Sequence, residues 1–357
     1  MLAADAPVVL LQHHGLDTMH GKTGLTLLRY RQAPLLAVVD PDHAGGSLEA
    51  ITGIRRAVPI VASIAEALPL LPAGGAPVVA VVGLAPSGGR LSEEVRADVA
   101  AALRAGLSVA SGLHTRLGDD PQLAALVQSG RWIWDLRREP DDLPVGAARA
   151  AALPGRRLLA VGTDRSVGKM SACLELWAAA RCAGRDARFV PTGQAGILIA
   201  GGGVALDAVR VDYAAGAVEQ AVLAAAAGAT AETLLLVEGQ GSFCHPGSTA
   251  TLPLLRGSQP TELLLVHRAG QRSIRNLPEI PLPPLRELVI SLERMAALAR
   301  PAGGAPVRVA AIALNTGHLD AAAAAGAIAA VQAETGLACT DPVREGGERL
   351  LELLALP

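Results

Sequence analysis

The chain has 357 residues, of which 51% are hydrophobic and 18% charged, and a formal net charge of −2. That length suits two domains, and the composition is that of a folded α/β protein, neither disordered nor fibrous. There is no lysine or arginine block and only 2% of residues are aromatic, so neither a nucleic-acid surface nor a base-stacking platform is expected.

The first residues, MLAADAPVVLL, carry no basic segment and no long apolar stretch, so they do not read as a signal peptide. Short apolar runs then alternate with segments of helical period. Strands are predicted at Val8–Leu11, Leu35–Val39, Pro59–Val61, Val78–Val82 and Leu107–Ala110, with a helix over Ser92 to Ala105. After the first strand, Gly15 and Gly21-Lys22-Thr23 form a glycine–lysine loop, read either as an anion site or as an ordinary turn at a helix start. The segment 139–155, EPDDLPVGAARAAALPG, mixes proline, glycine and charge and reads as a linker. The alternation resumes at Leu158–Val161, Ala187–Val190, Thr233–Val237, Leu263–Val266, Val307–Leu314 and Leu337–Cys339. The alanine-rich run Ala321 to Ala333 is too short to span a bilayer and sits where a helix is expected. Alternating buried strands and helices imply parallel sheets. The prediction is two tandem three-layer α/β domains, 1–140 and 156–357, joined by a linker over 141–155.

The four cysteines, Cys173, Cys182, Cys244 and Cys339, show no CxxC spacing, so neither a disulfide framework nor a zinc site is expected. These readings predict a soluble, cytoplasmic protein without a membrane or nucleic-acid partner. The abundance of apolar residues beside few aromatics adds the expectation of a homo-oligomer.

The most informative stretch is residues 158–171, LLAVGTDRSVGKMS. An apolar strand runs into a glycine-bearing loop that ends at Gly168-Lys169, where a helical pattern begins. This is the layout of a phosphate cradle, in which inward amides, a helix N-terminus and a lysine meet an anion. Gly162, Thr163, Asp164, Val167, Gly168, Lys169, Met170 and Ser171 are the expected contacts. The loop departs from the common pattern twice. Five residues separate Gly162 from Gly168 instead of four, and Met170 stands where a serine or threonine usually binds Mg²⁺. A thioether is a soft ligand, and Ser171 points about 100° away on the helix, so Mg²⁺ would be held less conventionally.

The spacing GTDxxVGK resembles dethiobiotin synthetase and its relatives among P-loop enzymes. In that resemblance the strand-end Glu238 of VEGQG matches an acidic metal contact and Asn315 of IALNT a residue facing adenine; Ser171 is the candidate hydroxyl for the metal beside Glu238 if the helix start is shifted or rotated. The stretches 191–219 and EGQGSFCHP (238–246), with GKTGLTLLRY, SGLHTRLGDDP and WDLRREP in the first half, closely resemble the DgcN-like family along essentially the whole chain. The methionine after the lysine is a feature of that family, whereas Arg165 replaces a small residue or cysteine and Ser171 a threonine. The resemblance implies a Rossmann-like N-terminal domain, a P-loop NTPase-like C-terminal domain, and N-acetyl transfer to D-glutamate.

Coenzyme A ends in a 3′-phosphorylated ADP, so the cradle suits acetyl-CoA as well as ATP, with Mg²⁺ as a further candidate ligand. Amine acylation needs a base, for which His245 and Glu238 are the candidates. A small acidic amino acid needs cationic and polar partners, for which Lys22, Arg116, Arg275 and Gln194 are the candidates. His13, His14, His20 and His114 are expected to make local polar contacts. Two other functions stay open at this point: ATP-dependent activation of a carboxylate, and nucleotide-responsive binding without catalysis.

Overall fold

A computed structural model describes residues 2–72, 77–85 and 91–354. The chain divides into two compact units, one comprising 1–138 with 194–205, the other 139–193 with 206–357.

In the first unit, six strands form one sheet: β1 (Val8–Leu11), β2 (Leu35–Val39), β3 (Ile60–Val61), β4 (Val79–Val82), β5 (Ser108–Ser111) and β6 (Ile133–Asp135). Their order is β3-β2-β1-β4-β5-β6 and every pair is parallel. β1 and β4 are buried along their whole length, which explains why they read as unbroken apolar runs rather than alternating ones. The strand order reverses between β1 and β4, so the loops leaving their carboxyl ends frame the crevice where such sheets take ligands. The predicted helix is present at Glu93–Arg104, capped by Ser92, whose side chain accepts from Val95 N.

The second sheet contains β7 (Arg156–Gly162), β8 (Ala187–Val190), β9 (Leu234–Val237), β10 (Glu262–Arg268), β13 (Arg308–Asn315) and β14 (Cys339–Thr340). Its order is β14-β13-β10-β7-β9-β8, again parallel throughout. The central β7 thus has β9 and β10 as neighbours, and the loops after all three open on the same edge. β11 (Ser273–Ile274) and β12 (Leu277–Pro281) form a separate antiparallel ribbon. The fold class and the predicted strands are as the sequence reading has them. β6 and the ribbon are additions: β6 is a half-buried edge strand without an apolar run, and prolines at 278 and 281 mask β12.

Two features bear on the stretches between the sheets. Residues 139–155 belong to the second unit and are held there. The fully buried Glu219, on the helix Ala214–Ala225, accepts from Ala147 N, Arg149 N and Arg149 Nε at 3.3, 2.6 and 2.7 Å. Gly216 lies so near Pro144 that a Cβ there would fall 1.7 Å from the Pro144 carbonyl oxygen. The second feature is the helix Gln194–Ala200, which belongs to the first unit. Arg31, buried in that unit, donates to the carbonyls of Leu198, Ala3 and Ala6.

Glu219→Ala leaves the amides of Ala147 and Arg149 without their buried acceptor, and the half-exposed Arg149 side chain without its ion-pair partner. The expected cost is about 3 kcal/mol, read as a lower midpoint in urea denaturation.

Candidate functional site

β7 runs into the glycine loop, and the helix Lys169–Cys182 begins immediately after Gly168, giving the strand–loop–helix arrangement expected of a phosphate cradle. Gly168 adopts φ +115°, a conformation open only to glycine, and Ser166 sits in the left-handed region at φ +51°. Two glycines make room for the lysine. A Cβ on Gly162 would lie 2.9 Å from Lys169 Nζ, and one on Gly239 would lie 3.0 Å from Lys169 Cδ and 1.7 Å from the Ala160 carbonyl oxygen. Lys169 is only 7% exposed. Its Nζ donates to the Asp164 carbonyl at 2.8 Å, its one hydrogen-bond acceptor among the described residues. An ammonium has three donors, so two remain to meet an anion. Burial brings the Lys169 pKa down to about 8, against the opposing pull of Asp164 and Glu238.

The loop is braced from three sides. Asn315 Nδ2 donates to the Val167 carbonyl at 3.1 Å, and Asn315 Oδ1 accepts from Gly317 N. Ser242 Oγ donates to the Thr163 carbonyl, while Thr163 Oγ1 is 3.0 Å from His267 Nδ1. Burial lowers the His267 pKa to about 4, so this imidazole is neutral at physiological pH. The Asp164 carboxylate turns toward the protein: Oδ2 accepts from Gln271 Nε2 and Arg275 N, and Oδ1 from Arg165 N.

Glu238 follows β9 and is 2% exposed. Its Oε2 accepts from the amides of Thr192 and Gly193 at 2.9 and 3.1 Å, and its Oε1 from Gln240 Nε2 at 3.1 Å. Burial pushes its pKa up to about 7, and the two amides and the Lys169 charge resist that rise. The result is a carboxyl group that exchanges its proton near neutrality beside a desolvated lysine. That combination marks a site of chemistry more often than a structural ion pair.

The remaining sequence-predicted residues fall around this centre or in the other unit. Met170 and Ser171 are half-buried on the first turn of the helix, and no hydrogen bond joins Ser171 to Glu238 among the described residues. His245 Nδ1 accepts from Gly247 N at 3.1 Å, closing a turn around Pro246, and the Arg165 guanidinium donates to the Gly247 carbonyl. That turn is thereby tied to the glycine loop. Lys22 and Arg116 are exposed in the first unit, where Gln194 begins its helix with its side chain against Gly112. The Gly15–Thr23 loop is filled from within by Gln12, whose Nε2 donates to the Gly21 carbonyl at 2.8 Å. A Cβ on Gly21 would lie 1.9 Å from the Gly15 carbonyl oxygen, so here the glycine spacing serves close backbone approach.

Sequence reasoning missed His267, Gln271 and the amides of Thr192 and Gly193. The residues at 191–193, Pro-Thr-Gly directly after a strand, were the available signal for the amides; nothing marked Gln271.

The cysteines offer no nucleophile here. All four are free, and burial pushes the thiols of Cys173, beside the lysine, and Cys244, beyond the acidic loop, upward. No helix among the described residues is long and apolar enough to cross a membrane.

Comparison with known proteins matches this architecture. Residues 144–351 match the domain of unknown function DUF1611 described as a P-loop domain, and residues 41–139 match its Rossmann-like N-terminal partner. The chain belongs to the DUF1611 family. A crystal structure of a DUF1611 family protein from Anabaena variabilis is 50% identical, with a TM-score of 0.90 over 99% of this chain and 100% of that one. A protein of Tritonibacter scottomollicae named D-glutamate N-acetyltransferase is 36% identical over 88% of this chain and 91% of its own. One from a Pseudoalteromonas species, with the same name, is 34% identical over 76% and 79%. The family assignment made from the glycine loop and its companion stretches therefore holds.

Because Glu238 binds its proton more tightly in the folded state, with a pKa near 7 against an ordinary 4.5, its ionisation opposes folding increasingly as pH rises from 4.5 to 7. Glu238→Gln is expected to unfold at a higher urea concentration than the parent at pH 8, with the gap closing by pH 5.

Proposed function

We propose that this protein is an amino-acid N-acetyltransferase whose acceptor is D-glutamate or a similarly small acidic amino acid and whose donor is acetyl-CoA. The observation that carries the reading is Glu238: a buried carboxyl group titrating near 7 on the same sheet edge as the phosphate-type loop. The names of the curated relatives support the reaction class, and the loop supports a phosphate-bearing donor.

In this reading the donor's phosphates lie against the N-terminus of the helix Lys169–Cys182, where unpaired amides and the two remaining Lys169 donors converge. The donor contributes an acyl thioester. Glu238 takes a proton from the acceptor's ammonium group, which frees the nitrogen lone pair to attack the thioester carbonyl carbon. The C–N bond forms, the C–S bond breaks, and the thiol leaves with a proton. Direct transfer fits the raised cysteine pKa values, which make an acyl-cysteine step unfavourable. Lys169, held close to Glu238 by the glycine slot, favours the ionised base and so keeps its pKa from climbing further. Arg275, whose amide already engages Asp164, is the proposed cation for an acceptor carboxylate.

The test is thiol release from acetyl-CoA in the presence of D-glutamate. The rate at low substrate is expected to rise with pH through about 7, as Glu238 loses its proton. Glu238→Gln is expected to lose roughly 100- to 10,000-fold in kcat, whereas the same loss in His245→Gln would move the base to His245. Lys169→Met is expected to weaken donor binding while leaving the protein folded. Phosphate release from ATP without any thiol release would replace this reading with ATP-dependent carboxylate activation.

A further inference from the structure

A second cluster of chemistry-bearing side chains lies wholly within the first unit, at the carboxyl ends of β1 and β2. His14, Asp40 and Asp42 place one imidazole nitrogen and two carboxylate oxygens within 4.8 Å of one another. His14 Nδ1 faces Asp42 Oδ2 at 2.5 Å, and its other nitrogen, Nε2, is 2.9 Å from Glu94 Oε2. Asp40 is fully buried and is fixed by amides of the same loops: His14 N and Asp42 N donate to Oδ1, and Leu16 N to Oδ2. His43 Nδ1 lies 3.3 Å from Asp40 Oδ1, and its Nε2 3.8 Å from Asp17 Oδ2. Among the described residues no lysine or arginine pairs with Asp40, Asp42 or Glu94; the positive counterparts are histidines alone.

We propose that this cluster is a binding site for a divalent transition-metal ion, with His14 Nδ1, Asp42 and Asp40 as its ligands. Four observations converge on it. The donors form a mixed nitrogen–oxygen set, which suits Zn²⁺ better than the all-oxygen preference of Mg²⁺. Glu94 stands on the far nitrogen of His14, which is the partner a metal-bound imidazole ordinarily has and which fixes the tautomer that presents Nδ1. His43, with Nδ1 3.3 Å from Asp40 Oδ1, brings a second imidazole to the same carboxylate. His14 itself is held at φ +56°, a left-handed backbone that an L-residue adopts at some cost.

The site is open. The side chains of His14 and Asp42 are 49% and 57% exposed, so an ion here keeps coordination positions for water or an incoming ligand. It sits one loop from the strand-order reversal between β1 and β4. Cysteine spacing could not disclose it, because its ligands come from two loops and contain no sulfur.

The full-length chain, stripped with a chelator, is titrated with Zn²⁺ alone and separately with Mg²⁺ alone. One Zn²⁺ per chain is expected, not displaced by excess Mg²⁺. Affinity should fall roughly 10- to 100-fold in His14→Gln and in Asp42→Asn, with a similar fall in Glu94→Gln. All three side chains are about half exposed, so the variants should fold, which circular dichroism checks. Lys169→Met and Cys182→Ser should retain the ion, separating this site from the glycine loop and from the exposed thiol. Zn²⁺ affinity unchanged in both His14→Gln and Asp42→Asn, or no binding at micromolar Zn²⁺, overturns the proposal. The readout is metal content, so the result stands apart from whether acetyl transfer is observed.

Discussion

A positive and a negative charge are withdrawn from water at one edge of the second sheet, and much of the surrounding structure exists to make that tolerable. Lys169 and Glu238 both lose solvent, and each is destabilised as an ion by that loss. Their mutual attraction offsets part of the cost. Most of the rest is met by backbone, two amides on the carboxylate and one carbonyl on the ammonium, with the Gln240 side chain adding one more donor to the carboxylate. Side chains cannot supply that many donors in so small a volume, which is why glycines recur there. Gly162 and Gly239 let the lysine stem pass, and Gly193 brings its own amide to Glu238; a Cβ there would fall 2.3 Å from Gln240 Nε2.

Such a pair is poised rather than settled. Both groups are pushed toward neutrality, one at about 8 and the other at about 7, so a bound anion or a proton changes which form prevails. The neighbouring Thr163–His267 contact behaves differently. His267 is neutral across the physiological range, so it can fix the hydroxyl of Thr163 without adding charge to the loop. One shell of the site responds to charge and the next does not.

Much of this architecture was legible in the chain. Strands buried on both faces, such as β4 and β9, show as short apolar runs because no face needs polarity. The glycine loop was legible because backbone conformation and close approach restrict residue choice at fixed spacing, and Glu238 because it ends a strand directly followed by glycine. What was not legible comes together through strand order. His267 reaches Thr163 because β10 lies beside β7, and the Thr192 and Gly193 amides reach Glu238 because β8 lies beside β9. Spacing in the chain carries no record of that adjacency. The same holds for His14, Asp40 and Asp42, whose separate loops meet only because β1 pairs with β2. Nor does the apolar QAGILIA segment announce which unit its helix will join, since its composition fits either core.

That last helix has a topological consequence. The chain passes between the two units after Arg138, again after Gly193, and a third time after Ala205. A cut anywhere in 139–155 therefore severs only one of three covalent connections, and the units stay joined through the other two. A truncation that keeps residues 1–138 alone would lack the helix Gln194–Ala200 and with it the Leu198 carbonyl that Arg31 meets, so the first unit is not recovered by a single cut.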